Sequence, residues 1–320
     1  MTKHVKVVTV TMNPALDLTG HLDQLTPGGL NIVDSASLHP AGKGVNVAKV
    51  LVELGADVTV TGFLGETNQG EFVDLFTQAG LTDEFIRVPG ATRINVKLVE
   101  QNQSVSDINF PGVEITNGAF EQLRQKLHDL TKQTEIFVIA GSLPRGVSSA
   151  QCQALIVELK QRGAKVFFDS SKQALAAGVK ALPYLIKPNE LELSELTARP
   201  LHSITDVLDA ANQLHQQGCE QVVVSMGEHG LVWLDNQGVM AAKPPKVTVV
   251  STVGAGDTLV AALCWGELQQ WPKQQTLVFA TALAAMAVSQ VGVGFHSPTQ
   301  FDSLMSQVQV VEPSDLEFKG

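Results

Sequence analysis

The stretch from Val249 to Thr258 has the residue types of an anion-binding turn followed by an acid. A β-branched run leads into Gly254-Ala255-Gly256, and Asp257 follows at once. The apolar residues 259–265 then predict a helix, so the glycines lie at its N-terminus, where unpaired N–H groups and the helix dipole attract anions. Asp257 could accept a proton from an attacking hydroxyl. The pattern indicates phosphoryl transfer, although a tight turn with a dipole-favoured acid explains the spacing equally well.

Other polar residues follow predicted strands. From about residue 116 onward, strand and helix patterns alternate, which predicts a mostly parallel sheet with helices on both faces. Ligands of such sheets bind beyond the carboxyl ends of the strands. Five positions fall there: Asp17, which we place on a loop after the first strand, Gly141-Ser142, Asp169, Lys187–Asn189 and Ser225. Each alone could be a solvated turn residue, but their coincidence predicts a site.

Two segments stand apart from this alternation. Residues 18–41 are rich in Gly and Pro, and Leu30, Ile32, Ala36 and Leu38 share one face of a predicted strand. Alternation over 92–99 places Arg93, Asn95 and Lys97 on one face and Ile94, Val96 and Leu98 on the other. The polar face suits a sugar phosphate or is simply solvated. The apolar faces could pair with each other or with a second subunit.

Two more glycine-rich stretches could contact ligands. Ala41–Asn46 opens a predicted helix that runs to about Glu53, but Lys43 is followed by Gly44 rather than Ser or Thr, which argues against a Walker A site. Ser225–Gly230 reads as a hairpin between two strands. It could form a lip near a nucleotide or only a tight turn.

Composition restricts the partners. The 320 residues carry 22 Lys and Arg against 32 Asp and Glu, a net charge of −10, which argues against nucleic-acid and anionic-membrane binding. An anionic substrate would therefore need a local basic pocket. The widely spaced Cys152, Cys219 and Cys264 predict reduced thiols. With no signal-peptide pattern and no apolar run of membrane-spanning length, we expect a cytoplasmic protein.

Taken together, these motifs resemble the PfkB, or ribokinase-like, carbohydrate kinases over nearly the whole chain. The details are most similar to the bacterial members that phosphorylate fructose 1-phosphate. The matching stretches are Asn13-Pro14-Ala15-Leu16-Asp17, Ala41-Gly42-Lys43-Gly44-Val45-Asn46, Thr92–Lys97, Gly141-Ser142-Leu143-Pro144, Lys187-Pro188-Asn189 with Glu192, Ser225–Gly230 and Thr252–Thr258.

The resemblance implies a ribokinase-like α/β fold. A single domain over 1–320 would carry a small β-sheet lid from segments of about 18–41 and 91–110, with a homodimer formed through the lid. The implied activity is ATP-dependent phosphorylation of fructose 1-phosphate at its 6-hydroxyl, with Mg²⁺. A tagatose-6-phosphate kinase or a 6-phosphofructokinase of the same family is the alternative.

The resemblance also implies residue roles. Asp257 would be the general base, with an anion hole formed by the backbone of Gly254, Ala255 and Gly256. Sugar contacts would come from Asp17, Gly42, Asn46 and Ser142, and the existing phosphate would contact Lys43, Arg93 and Lys97. The nucleotide would contact Lys187, Asn189, Ser225, Met226, Gly227, Glu228, His229, Gly230, Gly254 and Gly256. Glu192 would help to hold Mg²⁺ through water.

Two other classes remain open. A nicotinamide-dependent oxidoreductase would show G-x-G-x-x-G after the first strand, where this chain has Asn13-Pro14-Ala15. A sugar-phosphate sensor without catalytic activity would not need the base, but Asp257 is present.

Overall fold

A computed structural model describes residues 6–102, 104–290, 292–295 and 298–317. The strands are β1 (Lys6–Thr11), β2 (Ala15–Leu22), β3 (Ser35–Ala41), β4 (Asp57–Gly65), β5 (Thr82–Asp83), β6 (Ile86–Val88), β7 (Arg93–Glu100), β8 (Val105–Asn109), β9 (Ile136–Ala140), β10 (Lys165–Asp169), β11 (Leu185–Ile186), β12 (Gln221–Ser225), β13 (Leu231–Asp235), β14 (Gly238–Lys243) and β15 (Gln309–Val311).

The helices connect these strands. They are α1 (Lys43–Glu53), α2 (Gly70–Ala79), α3 (Asn117–Leu130), α4 (Ser149–Gln161), α5 (Lys172–Val179), α6 (Glu190–Thr197), α7 (Ile204–Gln216), α8 (Ala255–Leu268), α9 (Lys273–Val288) and α10 (Pro298–Gln307).

The large sheet is mostly parallel, as predicted. Its order is β15-β14-β13-β12-β11-β10-β9-β1-β4-β5, with β6 paired to β4. The strands from β12 to β5 run parallel, and β13, β14 and β15 add an antiparallel edge. The carboxyl ends of β1, β9, β10, β11 and β12 therefore meet at one edge of the sheet, where a ligand site is expected.

The core lies on both faces of this sheet. Alternation along β1 directs Val7 into one buried cluster with α1, α8 and α9, and Val8 and Val10 into the other with α3, α4 and α7. This two-sided burial explains why the central strands read as almost continuous apolar runs. Among the helices that the structure describes, none has the length and apolar character to cross a membrane.

A separate small sheet has the order β3-β2-β7-β8. The strand β2 pairs in parallel with β7, while β3 and β8 are antiparallel edges. The register places Leu18 opposite both Leu38 and Val96, which confirms that these apolar residues share one face. The other face carries the polar residues of β7.

Two local predictions about this region were wrong. Asp17 lies within β2 rather than on a loop, because the chain crosses directly from the large sheet into the small one at residues 12–14. The predicted strand over 30–38 begins only at Ser35. The side chain of Asn31 closes a turn on the backbone of Thr26 at 2.7 and 3.0 Å, so the chain is not extended there. Leu30 and Ile32 are 90% and 75% exposed as a result.

Gly62 provides a test of the strand packing behind the site. It pairs with Thr11 of β1 at φ 136°, and a Cβ would lie 1.9 Å from the Thr11 carbonyl oxygen. We expect Gly62→Ala to lower the free energy of unfolding by about 2–3 kcal/mol in urea titrations, since both strain and overpacking result. Gly70→Ala is the control, because nothing lies within 4 Å of its Cβ. Equal unfolding midpoints for Gly62→Ala and wild type would contradict this packing.

Candidate active site

The glycine-rich turn forms the N-terminus of α8. Gly254 is the N-cap at φ 80°, and a Cβ there would lie 2.2 Å from Cγ2 of Val293, so both the backbone conformation and the packing favour glycine. No side chain in the described part of the chain caps this helix. The N–H of Ala255 makes only a long bond of 3.4 Å to the carbonyl of Thr252, so the first turn of α8 still presents N–H groups to an anion.

A buried carboxylate connects two lysines beside this turn. Asp169, at the end of β10, is 2% exposed, and its Oδ2 lies 3.0 Å from Nζ of Lys43 at the start of α1. Its Oδ1 lies 3.5 Å from Nζ of Lys187, which is itself buried. A Cβ on Gly256 would lie 3.4 Å from the same Lys187 nitrogen, so this ammonium group lies against the helix terminus.

Asp257 lies in the first turn of α8 and is 6% exposed. Burial raises its pKa to about 6, and the negative charge of Asp169 adds to the rise. The amide Nδ2 of Asn46 donates to its Oδ2 at 2.7 Å, and this bond, together with Lys43 and Lys187, opposes the rise. The result is a carboxyl group that exchanges a proton near neutral pH, as a general base requires.

The same charges act on Lys43. Burial disfavours its ammonium form, but the nearby carboxylates of Asp169 and Asp257 outweigh burial, and the pKa of Lys43 lies above its ordinary value. Lys43 therefore remains a cation next to the candidate base.

The polar face of the small sheet is organised around Asp17. Its Oδ1 accepts from Nδ2 of Asn95 at 3.0 Å, and its Oδ2 lies 3.1 Å from Nζ of Lys97. Asp17 and Asn95 are direct partners in the β2–β7 register. Lys97 is thus held by a carboxylate, and Asp17 is oriented by two donors.

Arg93 reaches the junction between the two sheets. Its guanidinium donates to the carbonyl oxygens of Pro14 and Asn13 at 3.3 and 3.1 Å. The side-chain amide of Asn13 in turn donates to Oγ of Ser142 at 3.0 Å. Arg93 and Ser142, which come from different sheets, are therefore connected through one residue.

Gly42 and Gly44 let α1 approach the end of β1. A Cβ on Gly42, at φ 140°, would lie 2.8 Å from Cγ2 of Thr11, and one on Gly44 would lie 2.4 Å from Oγ1 of Thr11. This close approach places Lys43 and Asn46 at the carboxyl edge of the sheet.

The nucleotide-side residues lie at the ends of β11 and β12. Asn189 forms an isolated parallel bridge with Ser225. Its side chain also forms a capping box with Glu192 at the start of α6, with bonds of 2.8 and 3.0 Å. These contacts bring Asn189, Glu192 and Ser225 together.

The hairpin after β12 agrees only in part with its predicted role. It is a short turn, Gly227–His229, closed by a bond of 2.9 Å from the N–H of Met226 to the carbonyl of Gly230. Met226 is 1% exposed because it packs in the core, so only its backbone could meet a nucleotide. The carboxylate of Glu228 is directed to solvent.

The residues present fit a magnesium ion that is held mainly by phosphates and water. Within the described ranges, no group of three or more His, Cys, Asp or Glu residues could hold a metal ion by itself. The carboxylates of Asp169, Asp257 and Glu192 nevertheless lie near enough to Lys43 for their charges to raise its pKa. Mg²⁺ with a nucleotide typically uses one or two carboxylates, with phosphate oxygens and water completing its shell.

Sequence reasoning located most of these residues but missed three relations. Asp169 was recognised only as a residue at a strand end, although it connects Lys43 and Lys187. Asn13 had no predicted role, although it donates to Ser142, and Asn95 was placed only on a polar face suited to a sugar phosphate, although it orients Asp17. The position of Asp169 immediately after a buried strand was a usable signal. The contact between the Asn13 amide and Ser142 spans 129 positions in the chain, and no sequence pattern predicts it.

Comparisons with known proteins point to one family. The pfkB family carbohydrate kinase profile matches residues 2–300. A 1-phosphofructokinase of Vibrio cholerae is 56% identical over 310 residues, which are 97% of each chain. A 1-phosphofructokinase of Escherichia coli K12 is 44% identical over 305 residues, covering 95% of this chain and 98% of the other.

A solved structure agrees with these sequence matches. Escherichia coli phosphofructokinase-2, in complex with substrates and products, is 28% identical and superimposes with a TM-score of 0.88 over 94% of this chain and 99% of its own. The predicted ribokinase-like fold is confirmed, and this chain belongs to the pfkB family of carbohydrate kinases.

Proposed function

We propose that this protein is an ATP-dependent kinase that phosphorylates fructose 1-phosphate at its 6-hydroxyl and releases fructose 1,6-bisphosphate and ADP. The family membership and the 56% identity to a 1-phosphofructokinase support the reaction. The observation within this chain that carries the proposal is the buried Asp257 carboxyl beside the uncapped terminus of α8 and two lysines.

Asp257 orients the 6-hydroxyl and accepts its proton. The hydroxyl oxygen forms a bond to the γ-phosphorus, while the bond from that phosphorus to the β,γ-bridging oxygen breaks and ADP departs. Charge on the transferring phosphoryl group is stabilised by the N–H groups of Gly254, Ala255 and Gly256, with Lys187 against the same turn.

The remaining roles follow from position. Asp17 and Asn46, each held by hydrogen bonds, contact sugar hydroxyls, with Gly42 allowing the close approach of the backbone. Asn189 and the Ser225–Gly230 turn contact the nucleotide. When bound, Mg²⁺ would supply positive charge to the phosphates, and Glu192 would hold it through water. The three buried free thiols agree with a reducing cytoplasm as the compartment.

The resident phosphate of the sugar should define the substrate. We expect a coupled ADP-release assay to show efficient turnover of fructose 1-phosphate and little of free fructose, because an acidic chain must bind a dianion through a local basic pocket. Arg93→Ala and Lys43→Ala should each raise KM for the sugar phosphate about tenfold or more while KM for ATP changes little.

The assay tests the phosphate pocket and the identity of the sugar separately. Equal efficiency with free fructose would contradict the phosphate pocket. A preference for tagatose 6-phosphate would keep the pocket and replace the named substrate.

Asp257→Asn should abolish most turnover, by a factor of about 10²–10⁴, because the amide cannot accept the proton. The fold and ATP binding should be retained, which circular dichroism and nucleotide titration would verify. Turnover of the purified variant close to wild type would rule out the general base.

The pH profile gives a second measure of the same group. With a pKa of about 6, Asp257 is increasingly protonated below that pH, so kcat should fall about tenfold per unit on the acid side. The substrate phosphate titrates in this range too. Asn46→Ala separates the two effects, since loss of its hydrogen bond should move the acid limb to higher pH without touching the phosphate. If the acid limb of the kcat profile does not move in Asn46→Ala, the titrating group is the substrate phosphate rather than Asp257.

We also propose that the small sheet acts as a lid of a single-domain kinase and forms a homodimer. Its polar face carries Asp17, Arg93 and Lys97, while its apolar face leaves Ile94 and Ile108 38% and 47% exposed. A small sheet with an uncovered apolar face needs a partner surface. Closure of the polar face over the sugar would exclude water, which otherwise hydrolyses ATP.

Sedimentation at micromolar concentration should show a dimer that Ile94→Asp converts to monomer, because the new charge would be buried in the interface. Val239→Asp on β14 is the matched control, since Val239 is also 38% exposed but lies on the large sheet. A monomeric wild type, or dissociation by the control alone, would contradict the lid interface.

A further inference from the structure

The lysines and arginines near the proposed sugar-binding residues differ in whether a carboxylate already pairs with them. Lys43 and Lys97 are each paired with a carboxylate, Asp169 and Asp17 respectively. Arg93 donates only to backbone carbonyls, and within the described part of the chain it forms no salt bridge. Arg145, three residues after Ser142, likewise forms no salt bridge in the described part of the chain. Its guanidinium donates to the backbone carbonyl of Gly112 at 3.2 Å.

Arg145 is placed by a rigid loop. It follows Ser142 in the connection from β9 to α4, and its own carbonyl accepts from the N–H of Ile115 at 2.8 Å. The next residue, Gly146, has φ 84°, and a Cβ there would lie 2.1 Å from the Ile115 carbonyl oxygen. The loop is therefore packed tightly against residue 115, which fixes the origin of the exposed Arg145 side chain.

Gly112 brings the two arginines to one place. A Cβ on Gly112 would lie 2.3 Å from Oδ1 of Asn13 and 3.8 Å from Cδ of Arg93, so Gly112 packs on both. Asn13 is also the residue that donates to Oγ of Ser142. Arg93, Arg145 and the Ser142 hydroxyl thus surround a single backbone junction formed by Asn13 and Gly112.

We propose that Arg145 is a specificity-determining residue that binds, with Arg93 and Ser142, the phosphate group already present on the sugar. This inference rests on the proposed function and adds a residue to its phosphate pocket. Two guanidiniums match the charge of a phosphate dianion, and each can form paired hydrogen bonds to its oxygens. Neither arginine has to break a salt bridge in order to bind the phosphate. Lys43 and Lys97, in contrast, are already paired with Asp169 and Asp17.

The alternative role for Arg145 is structural, as a support for the Gly112 loop. The two roles make different predictions. A support would affect folding and both substrates alike, while a phosphate ligand affects only the sugar phosphate.

The test uses the full-length enzyme with Arg145→Met, which keeps the apolar stem and removes the charge. KM for fructose 1-phosphate should rise about 10- to 100-fold, the loss of one charge-assisted hydrogen bond or a pair. KM for ATP should stay within about twofold of wild type. Competitive inhibition by inorganic phosphate against the sugar phosphate should weaken in parallel.

Arg162→Met is the matched control. Arg162 is also exposed, but it follows the far end of the 13-residue helix α4, about 20 Å from Arg145. Arg145→Lys provides a second variant, with KM between those of wild type and Arg145→Met, since it keeps the charge and loses the bidentate geometry. All variants should share the wild-type melting temperature.

An unchanged KM for fructose 1-phosphate in Arg145→Met would overturn the proposal. So would equal rises in both KM values, or a lowered melting temperature that Arg145→Lys restores together with KM. If wild type fails to use fructose 1-phosphate, the proposed function fails instead, and the arginine pair is then tested with whichever sugar phosphate it does use.

Discussion

A single buried carboxylate holds the centre of this site together. Asp169 is in contact with Lys43 from the start of α1 and Lys187 from the end of β11, and Asp257 lies close enough for the charges to interact. Two lysines and two carboxyls make a group with no net charge when all are ionised. Asp169 can remain buried because each of its oxygens faces an ammonium group, whereas removing one partner from a buried pair typically costs about 3–5 kcal/mol.

This balance supports the role of general base that we propose for Asp257. The lysines alone would keep its pKa low, and burial alone would keep it protonated. Because Asp169 already occupies the two ammonium groups, burial prevails by a moderate margin and the pKa rises to about 6. Lys187 also lies against the terminus of α8, so it can interact with an arriving phosphoryl group.

The fold could be predicted from the sequence further than the site could. Regular alternation of strands and helices carries its own signal, and parallel strands bring their carboxyl ends to one edge whatever the loops do. Local contacts are different. Asn31 closes a turn that keeps residues 30–34 out of β3, and no hydrophobic pattern records such a bond. Met226 belongs to a predicted nucleotide turn, yet its side chain packs in the core.

The contacts that complete the site are the hardest to predict. Lys43 at the start of α1 meets Asp169 at the end of β10 across 126 positions, and Arg145 meets Gly112 across 33 where two connecting segments pass each other. The sequence identifies which residue types are available at the strand ends. The sequence does not show which of these residues contact each other, because that depends on how far each connecting segment extends.

The bond between Asn46 and Asp257 joins residues 211 positions apart, and α1 packs against α8. During synthesis, α1 leaves the ribosome long before its neighbour exists. Its apolar side, including Val47, Val50 and Leu51, is buried in the finished protein and has no cover from α8 until then. The part of α1 that α8 covers must therefore stay exposed through most of translation, a state that attracts chaperones and risks aggregation. The hydrogen bond between Asn46 and Asp257, on which the proposed catalysis depends, therefore forms only in this late step.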